Sequence, residues 1–436
     1  LFHVQQSVMG LPSLALAPSP GDRVLDLCAA PGGKTFHLAE IMDETGPIVA
    51  VDPKEKRLRG LLGNMYRLGV SNVLVVAADG RELPGGAAFD RVLVDAPCSG
   101  EGNYRRQGHL PARGRGFTRY ATALQEALLR RAVAVTRPGG VLVYSTCTYA
   151  PEENEAVVDR VLRDAPVRVE PIELGAPHDP GWTRWEGTDL HPDLHHAWRV
   201  YPHHLDSGGL FMVRLRRLND CAAGADGSAV DGSGANVPRD PAEGGFALDV
   251  DAPRTRDAEE QGWSRVPVGF PGEDSEAASA RVERAHLELE HRFGYDPDWI
   301  RRLGWMVRGD HLWIHTAGEW PVTAWRRSRP GSDWRVVSLG LRALRRGPGG
   351  RETPSNHFLT RWPRDIAPER KVDLTAGELR TLVAGDAQPP GELPTGPVAH
   401  VWEGTVLGRG MVGRAGLRQE LGKAHAERLS RILDPS

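Results

Sequence analysis

Cysteine is scarce in this sequence: four residues in 436, at positions 28, 98, 147 and 221. Thiols so few and so widely spaced argue against a disulfide framework. The lack of any Cys-x-x-Cys pair argues against a zinc site of that kind. Reduced thiols in a cytosolic protein fit this usage. No apolar run approaches the roughly 20 residues that span a bilayer, and no signal peptide opens the chain. A cytoplasmic protein with no membrane partner is therefore expected, and a monomer is the default. The net formal charge is only −3, which names no partner, because nucleic-acid binding rests on local basic patches rather than on the total. No internal repeat occurs. The first residue is Leu1 rather than Met, so an upstream segment is expected.

Apolar residues make up 40% of the chain, enough for cores in the two or three domains expected at this length. Residues 23–27, 48–51, 73–77, 91–94 and 141–144 read as strands, being short apolar runs rich in β-branched side chains. Between them, residues 35–42, 122–135 and the stretch carrying Leu58, Leu61, Leu62, Met65 and Leu68 read as helices. A further helix is expected to start at Pro151, with Glu152 and Glu153 in its first turn. Such alternation predicts an α/β domain with a doubly wound parallel sheet over residues 1–218. A late strand at 210–215 is expected to lie antiparallel at its edge.

Residues 219–275 are rich in Gly, Ala, Asp, Ser and Pro and read as a flexible linker. Residues 276–436 read as a mixed, strand-rich region. Nine of the twelve tryptophans lie beyond residue 262, and eight arginines fall between Arg326 and Arg351 with only Asp333 opposing them. Composition alone favours a solvated face for these arginines; a phosphate-binding surface is the sharper alternative.

In an open α/β sheet, ligands gather at the C-terminal ends of the strands. The first strand runs into Cys28-Ala29-Ala30-Pro31-Gly32-Gly33-Lys34, a small-residue turn that lets backbone approach a nucleotide-like ligand closely. A P-loop fails here because Cys28 stands where its first glycine belongs, and G-x-G-x-x-G is absent. A methyltransferase-type sheet binding S-adenosylmethionine is the remaining candidate. Asp52 ends the second strand, nineteen residues after Gly33, where a carboxylate can accept both ribose hydroxyls. Asp79 ends the third, placed to receive an adenine amino group. A lone strand-end Asp is often only a cap or turn former, but two in register favour a cofactor site.

The fourth strand ends in Asp95-Ala96-Pro97-Cys98 and the fifth in Ser145-Thr146-Cys147. Two thiols and a carboxylate beside a methyl donor suit one chemistry in particular. Carbon 5 of a pyrimidine is too weak a nucleophile to take a methyl group unaided. Addition of a thiolate to carbon 6 makes an enamine and activates carbon 5, which is covalent catalysis. An acid at the ring nitrogen favours the addition, and a base must later remove the carbon 5 proton. An electropositive setting would favour the thiolate, with Lys34 a candidate contributor. Spacing does not say which cysteine attacks. The HPDLHH segment (191–196) lacks a third ligand for a metal, and none is expected.

Five segments together resemble the Nop/Sun family of RNA cytosine-5 methyltransferases: LDLCAAPGGKT (25–35), VDPKEKRLRGLLGNMYRLGVSNV (51–73), DAPCSGEGNYRR (95–106), STCTYAPEENEAVV (145–158) and YPHHLDSGGLFMVRLRR (201–217). The resemblance implies a Rossmann-like S-adenosylmethionine-dependent domain in which Cys147 is the nucleophile and Cys98 assists release of the methylated RNA. It implies that Asp95 contacts the target cytosine with Lys34 nearby. Cys28, Ala29, Ala30, Pro31, Gly32, Gly33, Lys34, Asp52 and Asp79 would hold the cofactor, with Asp95 bordering that site and Arg57 a further candidate. VDLTAGELRTLVAGD (372–386) and VAHVWEGTVLGRGMVGRAGLRQEL (398–421) resemble a PUA-like module of the bacterial ribosomal RNA members, although the lysines usual near its end are largely replaced, Arg414, Arg418 and Lys423 being the nearest basic residues. The family's upstream RNA-binding region is missing from the chain. The implied substrate is RNA, ribosomal RNA preferred and transfer RNA the alternative. A non-catalytic RNA-binding ribosome-assembly factor is the rival from another class, and intact Cys147, Cys98 and Asp95 weigh against it. A small-molecule or protein methyltransferase would have no use for the two thiols.

Overall fold

The structure is a computed structural model that describes residues 3, 5–83, 85, 88–109, 114–219, 263–321, 335–389 and 391–434. It falls into two compact units, one of Leu1–Gln5, Ala17–Ala87 and Gly262–Ser436, the other of Gln6–Leu16 and Ala88–Gln261. This division differs from the expected boundaries at 218 and 276. Most of the expected linker 219–275, with Cys221, lies outside the described residues, as do Arg326, Arg327 and Arg329 of the arginine-rich stretch.

In the first unit, β1 (Val24–Asp26), β2 (Ile48–Asp52) and β3 (Val73–Ala77) pair in parallel, with Asp26 opposite Ala50 and Asp52 opposite Ala77. Every residue of β2 is buried, as a strand covered on both faces requires. The helix Glu55–Leu68 buries Leu58, Leu61 and Met65 and stops at Gly69, whose φ of 79° is the left-handed conformation of a C-terminal cap. The free edge of β3 is taken by Arg335–Leu339, running antiparallel, with a bulge between Val336 and Ser338. Residues beyond 262 therefore share a core with residues 17–87. Arg361 Nε donates to Gly69 O at 3.0 Å and Tyr66 OH meets Ser338 Oγ at 3.1 Å.

The rest of this unit holds the helix Ser275–Phe293, capped by Asp274, and two four-stranded sheets. One sheet contains Gly304–Arg308, His311–His315, Leu341–Arg346 and Glu352–Pro354. The other contains Lys371–Asp373, Gly396–Trp402, Thr405–Gly413 and Gly416–Gln419. The helix Ala376–Ala384 beside it starts with a reciprocal capping box between Thr375 and Glu378.

In the second unit, β4 (Phe89–Asp95) and β5 (Thr136–Thr146) pair in parallel, with Asp95 opposite Ser145. Leu210–Arg217 pairs antiparallel with β5, Phe211 opposite Thr146. The expectation that this strand forms the edge is corrected: its other side is taken by Trp198–Val200 and Val167–Glu170, and Asp179–Pro180 extends the sheet further. The helix Arg115–Val135 packs Leu128, Leu129, Ala132 and Val133 into the core. The following helix begins at Glu155 rather than Pro151; residues 151–154 form a turn before it. The strand arrangement is thus mixed rather than purely parallel. Among the described residues, no helix is long and apolar enough to cross a membrane.

Candidate active site

The residues read from the sequence divide between the two units. In the first, β1 ends at Asp26, which is buried and accepts Thr35 Oγ1 at 2.7 Å, drawing the two ends of the turn together. Ala29 N–H donates to Val51 O at 2.9 Å, so the turn is tied to β2. Gly32, with φ of 109°, leads into the helix Gly33–Ile41. A Cβ there would come 2.5 Å from the Phe36 ring in a conformation that L side chains rarely adopt. Ala29, Ala30, Gly32 and Lys34 are buried, while Cys28 is half-buried.

Asp52 is 1% exposed; its Oδ1 accepts Lys54 N–H at 2.9 Å. Burial pushes its carboxyl up from the ordinary range, opposed by the Lys54 N–H and the Arg57 guanidinium. Oδ2 lies 2.9 Å from Arg57 Nη1 but completes no hydrogen bond with any described residue. Arg57 also donates to Ala30 O, and so clamps the turn to the end of β2. Asp79 is differently engaged: it caps the short turn Gly80–Glu82 and takes the Arg81 guanidinium at 2.5 Å. That hydrogen bond holds its carboxyl below the usual range.

In the second unit, the parallel register of β4 and β5 brings the two cysteine loops side by side. Ala96 N–H donates to Ser145 O, and Ser145 Oγ to Asp95 Oδ1, both at 2.9 Å. The sulfurs of Cys98 and Cys147 lie 3.2 Å apart, and Cys147 N–H points at Cys98 Sγ at 3.3 Å. Its hydrogen bond to Cys147, together with burial, pushes the Cys98 thiol well above its ordinary value. Asn103 Nδ2 donates to Cys147 Sγ at 3.2 Å.

Behind the thiols is a buried polar scaffold that sequence reasoning missed. Glu153, 1% exposed, accepts Ser99 N–H at 3.0 Å and Gln125 Nε2 at 2.8 Å. Gln125 also donates to Pro97 O at 2.9 Å. Asn154 accepts Thr146 Oγ1 at 2.6 Å and donates to Thr148 O at 3.0 Å, bracketing Cys147. Glu101 accepts Thr148 Oγ1 and Tyr149 N–H at 3.0 and 3.1 Å. Glu155 and Arg199, both buried, pair at 2.5 Å, and Arg199 Nη1 donates to Tyr149 O at 3.0 Å. Acids after a proline read as a solvated helix start. Nothing in the local pattern of Glu153, Asn154 and Glu155 signals that all three turn inward. His191 and the short turn Pro192–His196 lie apart from this scaffold, and among the described residues no group of three or more metal-ligating side chains converges.

Comparison with known proteins places this geometry. Residues 13–216 match the model of a family described as 16S rRNA methyltransferase RsmB/F. A mouse 28S rRNA (cytosine-C(5))-methyltransferase is 40% identical over 227 residues, which is 50% of this chain and 28% of that protein. A tRNA (cytosine(49)-C(5))-methyltransferase of Pyrococcus abyssi is 35% identical over 219 residues, 50% of this chain and 70% of that protein. A crystal structure of a methyltransferase homolog from Pyrococcus horikoshii, 37% identical, covers 50% of this chain and 68% of its own, with a TM-score of 0.45. The chain thus spans little more than a quarter of the mouse relative.

Proposed function

This chain belongs to the RsmB/F methyltransferase family and carries its Rossmann-like fold, and on that premise we propose that it methylates carbon 5 of a cytosine in RNA through a covalent adduct with Cys147. The observation that carries the reading is the 3.2 Å approach of Cys98 and Cys147 at the ends of paired strands. A non-catalytic RNA-binding protein needs no such pair.

S-adenosylmethionine, when bound, supplies the methyl group as an electrophile. The residues fit it: Asp52 Oδ2 is a buried acceptor without a hydrogen bond, the chemistry a ribose hydroxyl answers. The turn Cys28 to Lys34, Asp52 and Asp79 would hold the cofactor, with Arg57 fixing the turn and Asp95 bordering the site. Asp79 would have to release part of its contact with Arg81 to receive an amino group, since each of its oxygens accepts two Arg81 hydrogen bonds.

The Cys147 thiolate adds to carbon 6 of the cytosine, forming a C–S bond as the carbon 5–carbon 6 π pair moves toward carbon 5 and the ring nitrogen, where Asp95, as a carboxylic acid, donates a hydrogen bond. Lys34 adds positive charge. After carbon 5 is methylated, Cys98 removes its proton; the electron pair re-forms the ring double bond and expels Cys147. Burial and the hydrogen bond to Cys147 hold the proton on Cys98. Cys98 gives that proton to solvent before it takes the carbon 5 proton, and formation of the C–S bond, which removes the Cys147 charge beside it, favours this loss. The target base must leave its stack to reach a thiol held in a protein scaffold.

Ribosomal RNA is the preferred substrate. Transfer RNA is the second reading, favoured by the name of the Pyrococcus abyssi relative. Residues 276–436, PUA-like toward their end, are read as an RNA-binding region, and the protein as a cytoplasmic monomer. Transfer of a labelled methyl group to RNA tests the reaction. Cys147→Ala should abolish transfer, and Cys98→Ala should accumulate a protein–RNA adduct on denaturing gels. Turnover in the first variant would overturn the nucleophile, and absence of an adduct in the second would overturn the release role. Bisulfite mapping of total RNA with and without the protein separates the two substrates.

A further inference from the structure

Two carboxylates of the same unit bind backbone beside the cysteine loops. Glu101 binds the two residues after Cys147, and Glu153 accepts the backbone N–H next to Cys98. Tyr149 is pushed up to about 12, chiefly by burial, and so stays neutral. The guanidinium on this turn, Arg199, is matched by Glu155. Neighbouring anions disfavour ionisation of a thiol and a hydrogen bond given to the charged sulfur favours it, so a donor at Cys147 Sγ bears directly on forming the thiolate.

Asn103 has the geometry of such a donor. Gly100, with φ of 81°, opens the short turn Glu101–Asn103. Gly102 N–H donates to Cys147 O at 2.8 Å, which ties this turn to the nucleophile loop. The Asn103 side chain then has Nδ2 3.2 Å from Cys147 Sγ and Oδ1 facing Arg106 Nη2 at 3.4 Å. A guanidinium only donates, so it selects the carbonyl end of the amide and leaves the NH2 for the sulfur. We propose that Asn103 is a catalytic residue of this chain, its amide N–H stabilising the Cys147 thiolate and aiming it, with Arg106 as the residue that orients the amide. The proposal rests on Cys147 being the nucleophile. Ionisation sends the Cys147 proton to solvent; the amide gives up no proton and only donates a hydrogen bond to the charge that forms.

The test is the pH dependence of Cys147 alkylation by iodoacetamide, read by peptide mass spectrometry, which separates Cys147 from Cys98 and needs neither RNA nor methyl donor. Asn103→Leu keeps the size and removes the donor. The alkylation midpoint should rise by about one pH unit, since a hydrogen bond to a charged group supports a shift of that order. Methyl transfer at neutral pH should fall about tenfold in kcat with KM for RNA unchanged, and recover at higher pH. Asn103→Asp should raise the midpoint further by adding an anion, which gives a second reading if the leucine variant folds poorly. An unchanged midpoint in both variants, with Cys147→Ala inactive, overturns the role of Asn103 and leaves the nucleophile standing. Activity in Cys147→Ala overturns the nucleophile instead.

Discussion

Glu153 offers the sharpest test of how the two cysteine loops are held. Its carboxylate is buried and receives both the Ser99 backbone N–H, next to Cys98, and the Gln125 side chain. Glu153→Ala strands the Ser99 donor and one of the two Gln125 N–H groups, the other being kept by Pro97 O. Each buried donor left without a partner costs roughly 1–3 kcal/mol, so about 2–6 kcal/mol is expected for the two. Glu153→Gln keeps one oxygen to accept and loses only the charge assistance, about 1–2 kcal/mol. Urea unfolding followed through hydrogen exchange of peptides from residues 114–218 reads the second unit. The alanine variant should also lower Tm by roughly 4–24 °C for a unit of this size. A second readout is chemical. The Glu153 charge is one of the lesser influences raising the Cys98 thiol, so Glu153→Gln should shift Cys98 alkylation to lower pH. A loss under about 1 kcal/mol in Glu153→Ala, or equal losses in both variants, would refute the argument from stranded donors.

Gly102→Ala should cost most of the methyl-transfer activity, because its Cβ would lie 2.5 Å from Gly209 O and 3.0 Å from Cys147 O; wild-type turnover would show that the loop tolerates the shift. Arg199→Met leaves Glu155 buried without its ion-pair partner and should destabilise the second unit by about 3–5 kcal/mol, with Glu155→Leu restoring much of that in the double variant; additive losses in urea unfolding would count against it. His315 and His400 are buried and held near a pKa of about 4 by that burial. The unfolded chain protonates each near 6.5. Their stabilisation is therefore full above about pH 6.5 and is lost as pH falls toward 4, by up to about 3 kcal/mol each. The slope of stability against pH between 6.5 and 4.5 should flatten by one proton in His315→Leu, and an unchanged slope would exclude His315 as a contributor.

The parts of the fold legible in the sequence are those in which one segment carries its own signal. Residues 48–51 are apolar throughout because β2 is covered on both faces, and Glu55–Leu68 shows helical spacing because only one face is buried. Position within a sheet carries no such signal. Leu210–Arg217 has the same alternation whether it is an edge strand or lies beside Trp198–Val200 and Val167–Glu170. These partners are three and four residues long, too short to stand out as strands. The pairing of Arg335–Leu339 with β3 joins segments about 260 residues apart. Its apolar pattern marks a strand without naming the neighbour, so the division of the chain into units was not readable from composition.

The site divides in the same way. Asp95, Cys98 and Cys147 stand at strand ends, where the α/β topology itself concentrates chemistry, so a parallel pairing of β4 and β5 suffices to bring them together. Asp79 shows the limit of that rule: strand-end placement is right, yet Arg81 two residues on takes up the carboxylate locally, an outcome that side-chain chemistry decides and position does not. Glu153 and Asn154 were invisible for a different reason. Polar side chains at a helix start are ordinarily solvated, and their burial is imposed by the loops that fold over them. Once buried, each must find a partner, and here the partners are backbone and side-chain groups of the cysteine loops and of the helix Arg115–Val135. Asn103 is only half-buried, and nothing in its turn marks its reach to the Cys147 sulfur. The scaffold is therefore a consequence of enclosing the thiols. It is why the residues that tune a nucleophile are the ones a linear reading passes over.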